Sequence, residues 1–230
     1  MADDNVEPIP LAVRTSDLPV RVASAAVMLA VAGAALWLGG VWLDAFIALV
    51  ALACYYEFAR LILRIEGGAG RWLAMVAGAL YIGLAAVALI QLSVAVVIGV
   101  IAVVIATDTG AYFSGRTIGG PKIAPAISPS KTWAGLIGGM IAAGLVSVTF
   151  FLFNVGEIRF SAMTFVAFAI GAVLAVVAQA GDFFESWLKR RAHVKDSSNL
   201  IPGHGGVFDR VDGLLPVAIV ALPLWMLHPA

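Results

Sequence analysis

The chain has 230 residues, of which 62% are hydrophobic and only 12% are Asp, Glu, Lys or Arg. A water-soluble domain of this size cannot hide so many apolar side chains, and a disordered chain would need low hydrophobicity and high charge. Acidic and basic residues number 14 each, so no net charge favours nucleic acid as a partner. The single cysteine, Cys54, excludes an intramolecular disulfide framework and a multi-cysteine zinc site. The composition predicts a polytopic membrane protein.

Long uncharged windows predict about seven membrane-spanning helices, because a helix needs roughly 20 apolar residues to cross a bilayer. The predicted ranges are 20–38, 43–63, 73–90, 93–112, 133–153, 160–180 and 213–228. The third and fourth spans divide one uncharged run, from Trp72 to Thr107, at Gln91 and Ser93. Apolar residues are consecutive rather than alternating, so helices are favoured over a transmembrane β-barrel. The predicted fold class is all-α.

The distribution of basic residues predicts the orientation in the membrane. With seven spans, every Lys and Arg except Arg159 falls on the side that holds the N-terminus, and excess positive charge marks the cytoplasmic side. The N-terminus is therefore expected in the cytoplasm and the C-terminus outside. Residues 1–19 are predicted to form a flexible cytoplasmic tail and residues 20–106 the N-terminal spans. Residues 107–230 are predicted to form a second, functional transmembrane region, with polar cytoplasmic loops over 107–132 and 181–212.

The last cytoplasmic loop begins with charged side chains at helical spacing. Asp182, Glu185 and Lys189 lie at i, i+3 and i+7, so on a helix they would share one face. The simplest interpretation is a sixth span that extends into the interface with solvated charges. The neighbouring Lys and Arg side chains would also suit anionic lipid.

A glycine-rich turn and two further carboxylates favour a more specific interpretation. The sequence runs Pro202-Gly203-His204-Gly205-Gly206 and continues to Asp209-Arg210-Val211-Asp212. Glycines allow successive backbone N–H groups to form an anion-binding concavity, and aspartate oxygens are ligands that Mg²⁺ prefers. Lysine and arginine side chains neutralise phosphate oxygens. Together these features predict phosphoryl or nucleotidyl transfer.

The loop over 107–132 carries a second set of polar residues. Asp108 closes the predicted fourth span, where an ionisable side chain is functional by default, although an interfacial aspartate that reaches water also fits. Ser128-Pro129-Ser130-Lys131-Thr132 precedes the fifth span, whose N-terminus favours anions. Ser130 or Thr132 is expected to cap that helix. The spacing is not that of a P-loop.

These motifs resemble the phosphatidate cytidylyltransferases, also called CDP-diacylglycerol synthases. The family signature runs Ser-x-apolar-Lys-Arg, Lys-Asp, Pro-x-His-Gly-Gly and Asp-Arg-x-Asp. The chain matches it, with the family's gaps, at Ser186, Lys189, Arg190, Lys195, Asp196, Pro202, His204, Gly205, Gly206, Asp209, Arg210 and Asp212. The resemblance covers about the second half of the chain.

The resemblance implies that the cytidylyl group of CTP is transferred to phosphatidate, giving CDP-diacylglycerol and pyrophosphate for phospholipid biosynthesis. It implies an inner-membrane enzyme with a cytoplasmic active site, a homodimer, and K⁺ as a possible second cation beside Mg²⁺. The expected metal ligands are Asp182, Asp209 and Asp212, and the catalytic set also includes Lys189 and Arg210. The candidates for binding CTP or phosphate are Asp108, Ser128, Lys131, Arg190, Lys195, His204, Gly205 and Gly206.

Three other functions stay open from the sequence. A cytidylyltransferase of the same superfamily that acts on another lipid phosphate would use the same residues. An anion transporter would need polar groups along a midplane path, whereas the charges here gather at the cytoplasmic ends of the spans. A non-enzymatic lipid-binding scaffold would not need carboxylates at such close spacing.

Overall fold

In the computed structural model, the described residues are 11–65, 67–155 and 162–227, with side chains over 18–65, 67–154 and 162–227. The elements in chain order are α1 (Leu11–Leu38), α2 (Gly40–Ile65), α3 (Ala69–Gln91), α4 (Val94–Thr117), β1 (Lys122–Ala124), β2 (Ser128–Thr132), α5 (Trp133–Val155), α6 (Ala162–Arg191), α7 (Phe208–Val211) and α8 (Leu214–Met226). Residues 1–10 of the predicted tail, and Arg159, lie outside these ranges, and α1 begins inside the segment predicted as a tail.

Six described helices, α1 to α6, are long and apolar enough to cross a membrane. They coincide with the first six predicted spans, so the prediction of a helical, multi-pass membrane protein is confirmed. The last predicted span, 213–228, corresponds to α8, which has 13 residues. At 1.5 Å per residue such a helix is about 20 Å long, shorter than the hydrocarbon core of about 30 Å. The number of crossings and the orientation of the termini stay predictions.

The surface of the bundle has the polarity expected of a protein in lipid. Large apolar side chains point outward from several helices, with Trp37 exposed by 85%, Val41 by 79% and Phe165 by 77%. A soluble monomer rarely exposes so much apolar surface. In hydrocarbon, helices satisfy their backbone hydrogen bonds internally and expose apolar side chains.

Local signals explain two of the helix boundaries. Gly39 has a φ of 61°, a left-handed conformation in which glycine commonly ends helices. Its N–H donates a hydrogen bond to Ala35 O at 3.0 Å. Ser93 begins α4, because its side chain accepts a hydrogen bond from Val96 N. The predicted break of the long uncharged run at Gln91 and Ser93 is therefore confirmed.

Small residues allow α4, α5 and α6 to pack closely. A Cβ atom added to Gly110 of α4 would lie 2.6 Å from Gly138 O of α5, and one added to Gly171 of α6 would lie 2.5 Å from Ala143 O. Helices in membranes commonly associate through small residues that bring the backbones together. This packing fixes the position of α4, which carries Asp108, relative to α5 and α6.

A Gly138→Val substitution is expected to loosen this packing, because the new side chain would overlap Ser114 of α4. Overpacking typically costs about 1–3 kcal/mol. The melting temperature of the detergent-solubilised variant should therefore be lower by roughly several degrees. Gly83→Val is the matched control, since no atom lies within 4 Å of a Cβ added there. Equal melting temperatures for the two variants would contradict the proposed helix contact.

The polar segments are more structured than predicted. Helix α4 continues to Thr117 and α6 to Arg191, so each helix extends into a segment predicted as a cytoplasmic loop. The last turn of α6 is basic, which complements the negative end of the helix dipole. Between α4 and α5, β1 and β2 form an antiparallel hairpin in which Lys122 pairs with Thr132.

Candidate active site

Six charged side chains from different segments converge at one end of the bundle. Helix α6 contributes its C-terminal part, β2 lies just ahead of α5, and the segment after α6 leads through α7 into α8. The side chains that meet there are Lys131, Asp182, Glu185, Lys189, Asp209 and Asp212. The two segments predicted as cytoplasmic loops therefore supply one common site.

Three carboxylates form a compact cluster at this site. Oxygen atoms of Asp182, Glu185 and Asp212 lie within 4.8 Å of one another. Glu185 is only 1% exposed, and its Oε1 has no hydrogen-bond partner among the described residues. Buried polar atoms without a partner are rare in native proteins. The donor set consists of hard oxygen ligands, which fit Mg²⁺.

A close contact between α6 and the start of α8 brings the cluster together. A Cβ added to Gly181 would overlap Asp212 O and would lie 2.7 Å from Pro216 Cγ. Glycine at this position therefore allows the backbones to approach. Because Asp182 is the next residue of α6 after Gly181, its side chain can face Asp212 from the opposite segment.

Lys131 reaches the cluster from β2. Its Nζ forms an ion pair with Asp182 Oδ2 and lies 4.6 Å from the centroid of the Phe183 ring. The next residue, Thr132, caps α5 by accepting a hydrogen bond from Gly135 N at 3.0 Å, which confirms one of the two predicted caps. Lys131 thus adds a positive charge beside a helix N-terminus, where anions are favoured.

Lys189 joins two carboxylates of the site. Its Nζ lies 2.6 Å from Glu185 Oε2 and 2.8 Å from Asp209 Oδ1. Asp209 also accepts hydrogen bonds from Gly206 N at 2.8 Å and from Ser197 N at 3.0 Å. Burial by itself would raise the pKa of Asp209, but interactions with Glu185, Lys189 and Gly206 outweigh it and hold the pKa below its ordinary value.

Asp212 lies in a different electrostatic environment. Burial, followed by the negative charge of Asp182, raises the pKa of Asp212 to about 7, against a hydrogen bond from Gly213 N that lowers it. The two effects act in the same direction, because both the low dielectric and a nearby like charge disfavour the ionised carboxylate. The pKa values of Asp209 and Asp212 are therefore shifted in opposite directions.

The carboxylate cluster contains two of the three predicted metal ligands, Asp182 and Asp212, together with Glu185. Asp209 lies beside it, and the predicted ligand set stays a prediction. Both Asp209 oxygens are engaged, by Lys189 on one side and by Gly206 and Ser197 on the other. Asp209 is therefore placed to hold Lys189 and the glycine turn.

The glycine-rich turn is shaped by its own contacts. His204 Nδ1 lies 2.9 Å from Ser24 Oγ of α1, and His204 O accepts hydrogen bonds from Arg210 Nε at 3.1 Å and Nη2 at 2.6 Å. Gly205 has a φ of 81°, a conformation that side chains rarely adopt. The predicted phosphate contacts of His204, Gly205, Gly206 and Arg210 stay predictions, and their described contacts stabilise the turn.

The remaining predicted residues lie around the cluster. Arg190 Nε donates to Ile127 O at 3.3 Å, Ser128 is buried in β2, and Lys195 is exposed. Asp108 interacts electrostatically with Asp182 and Lys131. Asp108 and Arg210 also border a cavity of about 550 Å³ whose other lining residues are mainly apolar side chains of α1, α2 and α4. The predicted roles of these residues in binding stay untested.

Sequence reasoning missed a second buried carboxylate next to the site. Glu57 of α2 is fully buried and accepts hydrogen bonds from Val207 N and Phe208 N. A charged residue inside an apolar segment was the available signal. Its partners Ser197 and Ser198 carried no comparable signal, because serines are common in polar loops.

Comparisons with known proteins identify the family of the chain. The sequence profile of the Cytidylyltransferase family matches residues 63–227. A phosphatidate cytidylyltransferase of Brucella suis biovar 1 is 48% identical over 120 residues, covering 51% of this chain and 42% of that protein. One from Rickettsia prowazekii is 47% identical over 116 residues, covering 49% of this chain and 50% of that protein. The chain thus matches half or less of the length of these relatives. Because the family profile matches most of the chain, the chain belongs to the cytidylyltransferase family.

Proposed function

We propose that the protein transfers the cytidylyl group of CTP to phosphatidate, giving CDP-diacylglycerol and pyrophosphate. The observation that carries this proposal is the convergence of three carboxylates and two lysines at one end of an apolar helical bundle. Membership of the cytidylyltransferase family and the names of the relatives support it. A site at the end of a membrane bundle would meet a lipid phosphate and a water-soluble nucleotide together.

In the proposed reaction, an ionised oxygen of the lipid phosphate attacks the α-phosphorus of CTP. The new P–O bond forms as the bond from the α-phosphorus to the oxygen bridging to the β-phosphorus breaks, and pyrophosphate leaves with that electron pair. No side-chain nucleophile is needed, since catalysis of such displacements consists mainly of positioning and charge stabilisation. Lys131 and Lys189 would neutralise phosphate oxygens, and Arg210 remains a further candidate.

Asp182, Glu185 and Asp212 would hold Mg²⁺, because their oxygens are hard ligands grouped around one point. When bound, the metal supplies positive charge to the nucleotide phosphates and the leaving group. Lys189 keeps one Glu185 oxygen paired, while the partnerless Oε1 is available for a cation. The proposal includes K⁺ as a possible second cation and a homodimer, which rest on the family resemblance alone.

The proposed location is the inner membrane, with the site facing the cytoplasm, where CTP is present. The distribution of basic residues in the sequence supports this orientation. The apolar cavity beside Asp108 and Arg210 fits the acyl chains of a lipid, whose phosphate would then lie toward the charged cluster. The acyl chains and the phosphate of one lipid would then occupy two neighbouring sites, the cavity and the charged cluster.

A panel of lipid acceptors tests the proposed substrate. Purified protein in defined vesicles is given CTP and Mg²⁺ with phosphatidate, a polyprenyl phosphate or an ether-linked phosphatidate analogue. We expect phosphatidate to react at least about tenfold faster than the others, a difference of roughly 1.4 kcal/mol in transition-state stabilisation. Faster transfer to another lipid would assign a different acceptor, and anion flux across the vesicles without any use of CTP would contradict an enzymatic role.

A further inference from the structure

Glu57 of α2 is the centre of a buried hydrogen-bond network beside the site. Its side chain is 0% exposed, and hydrogen-bond donors from the segment after α6 surround both carboxylate oxygens. They are Val207 N at 3.0 Å, Phe208 N at 2.7 Å, Ser198 Oγ at 2.5 Å and Ser197 Oγ at 3.0 Å. These groups all present donor hydrogens, which is the arrangement that suits an ionised carboxylate.

This network engages both Glu57 oxygens with groups of the chain itself. A carboxylate offers about four lone-pair sites, and four donor groups face the two Glu57 oxygens. A buried carboxylate without such donors would be strongly unfavourable. Glu57 is therefore arranged to hold the chain segment around it rather than to touch the reacting groups.

Ser197 connects Glu57 to Asp209. Its hydroxyl lies 3.0 Å from Glu57 Oε2 and 2.9 Å from Asp209 Oδ2, so its single proton serves one carboxylate or is shared between them. Its backbone N–H donates to Asp209 as well. Gly206 also lies between the two carboxylates: its N–H donates to Asp209, and an added Cβ would lie 2.5 Å from Glu57 Oε2. The two carboxylates clamp the segment between them.

We propose that Glu57 is a positioning residue for the reaction: it fixes the segment 197–208 so that Asp209 stays against Lys189. This inference rests on the proposed function for its kinetic consequence. Glu57 precedes the residues 63–227 that the family profile matches. The second predicted span thus contributes to the site through a buried carboxylate and not only through apolar packing.

The Glu57→Gln variant tests this role. An amide has one oxygen, so its NH₂ group would face the backbone N–H of Val207 or of Phe208, and the segment would shift. Loss of such a supporting partner typically lowers activity about 10–100-fold. We expect kcat for CDP-lipid formation to fall by that amount while KM for CTP changes little. An unchanged kcat in the folded variant would overturn the proposal.

Two further variants separate positioning from stability. Leu61→Ala removes a buried side chain one turn further along α2, in the apolar cluster that contains Phe58 and Phe208. It should lower the melting temperature without lowering kcat of the folded protein. Ser197→Ala should lower kcat, and combining it with Glu57→Gln should add little, because both changes break one connection. Independent, multiplicative effects of the two substitutions would contradict the connection. If Glu57→Gln proved too unstable to purify, an unchanged kcat in Ser197→Ala would contradict it.

Hydrogen exchange measured without substrates tests the clamp independently of the reaction. The amides of Val207 and Phe208 should exchange at least about tenfold faster in Glu57→Gln, a change of roughly 1.4 kcal/mol in local opening, but not in Leu61→Ala. Unchanged exchange would overturn the proposed positioning. Faster exchange in a protein whose wild type forms no CDP-lipid would support the clamp and reject the proposed function, so the two failures are distinguishable.

Discussion

An Asp182→Asn substitution is expected to lower Mg²⁺-dependent CDP-lipid formation by about 10²–10³-fold, the usual cost of removing a group that stabilises transition-state charge. Asp182 pairs with Lys131 and belongs to the three-carboxylate cluster. One change therefore affects both the proposed metal site and a lysine that we propose binds phosphate. The measurement is the initial rate of CDP-diacylglycerol formation by purified protein at saturating CTP and over a range of Mg²⁺ concentrations.

The control for this variant is Asp44→Asn. Asp44 lies on α2, 13 positions before Glu57, which places it about 20 Å away along the helix. It should retain wild-type activity. Asp212→Asn and Glu185→Gln should resemble Asp182→Asn and should need higher Mg²⁺ concentrations. Full activity in Asp182→Asn or in Asp212→Asn would contradict the assignment of the cluster.

The second large effect is expected for Lys189→Gln. Lys189 is the cation between Glu185 and Asp209, and removing one partner of a buried ion pair typically costs about 3–5 kcal/mol. The variant should lose stability and at least about 10²-fold in activity, because two carboxylates are left without their cation. Thermal melts and initial rates measured on the same preparation check both effects.

Lys122→Gln is the matched lysine control, because Lys122 is an exposed residue of β1 outside the carboxylate cluster. It should leave the melting temperature and the rate close to those of the wild type. A Lys189→Gln variant that keeps wild-type activity would remove Lys189 from the proposed machinery. A variant that loses stability but keeps its rate per folded molecule would limit Lys189 to a structural role.

Much of the fold follows from the sequence because spans in lipid must be long, apolar and helical. The break at Ser93 was predictable, since serine is a common helix N-cap and accepts the bond from Val96 N here. The extent of the helices at the charged segments, such as the continuation of α4 to Thr117, was less predictable. Charged residues at the end of an apolar run are compatible with either a loop or a longer helix, and only packing decides between them.

The candidate site was predictable in its parts but not in its pairings. Sequence spacing placed Asp182, Glu185 and Lys189 on one helix face, as observed. It did not show that Lys189 would bind Asp209, because that contact depends on how the glycine turn folds back onto α6. The role of Glu57 required knowledge of how α2 lies against the segment 197–208, which no local pattern contains.

The most direct test of the account follows the phosphorus atoms of CTP. Purified protein in phosphatidate vesicles is given Mg²⁺ and CTP labelled either at the α-phosphorus or at the γ-phosphorus, with Asp182→Asn run in parallel. The account predicts that the α label enters the lipid, that the γ label leaves as pyrophosphate, and that both processes nearly stop in the variant. Absence of α label from the lipid in the wild type, or equal labelling in the variant, would contradict the account.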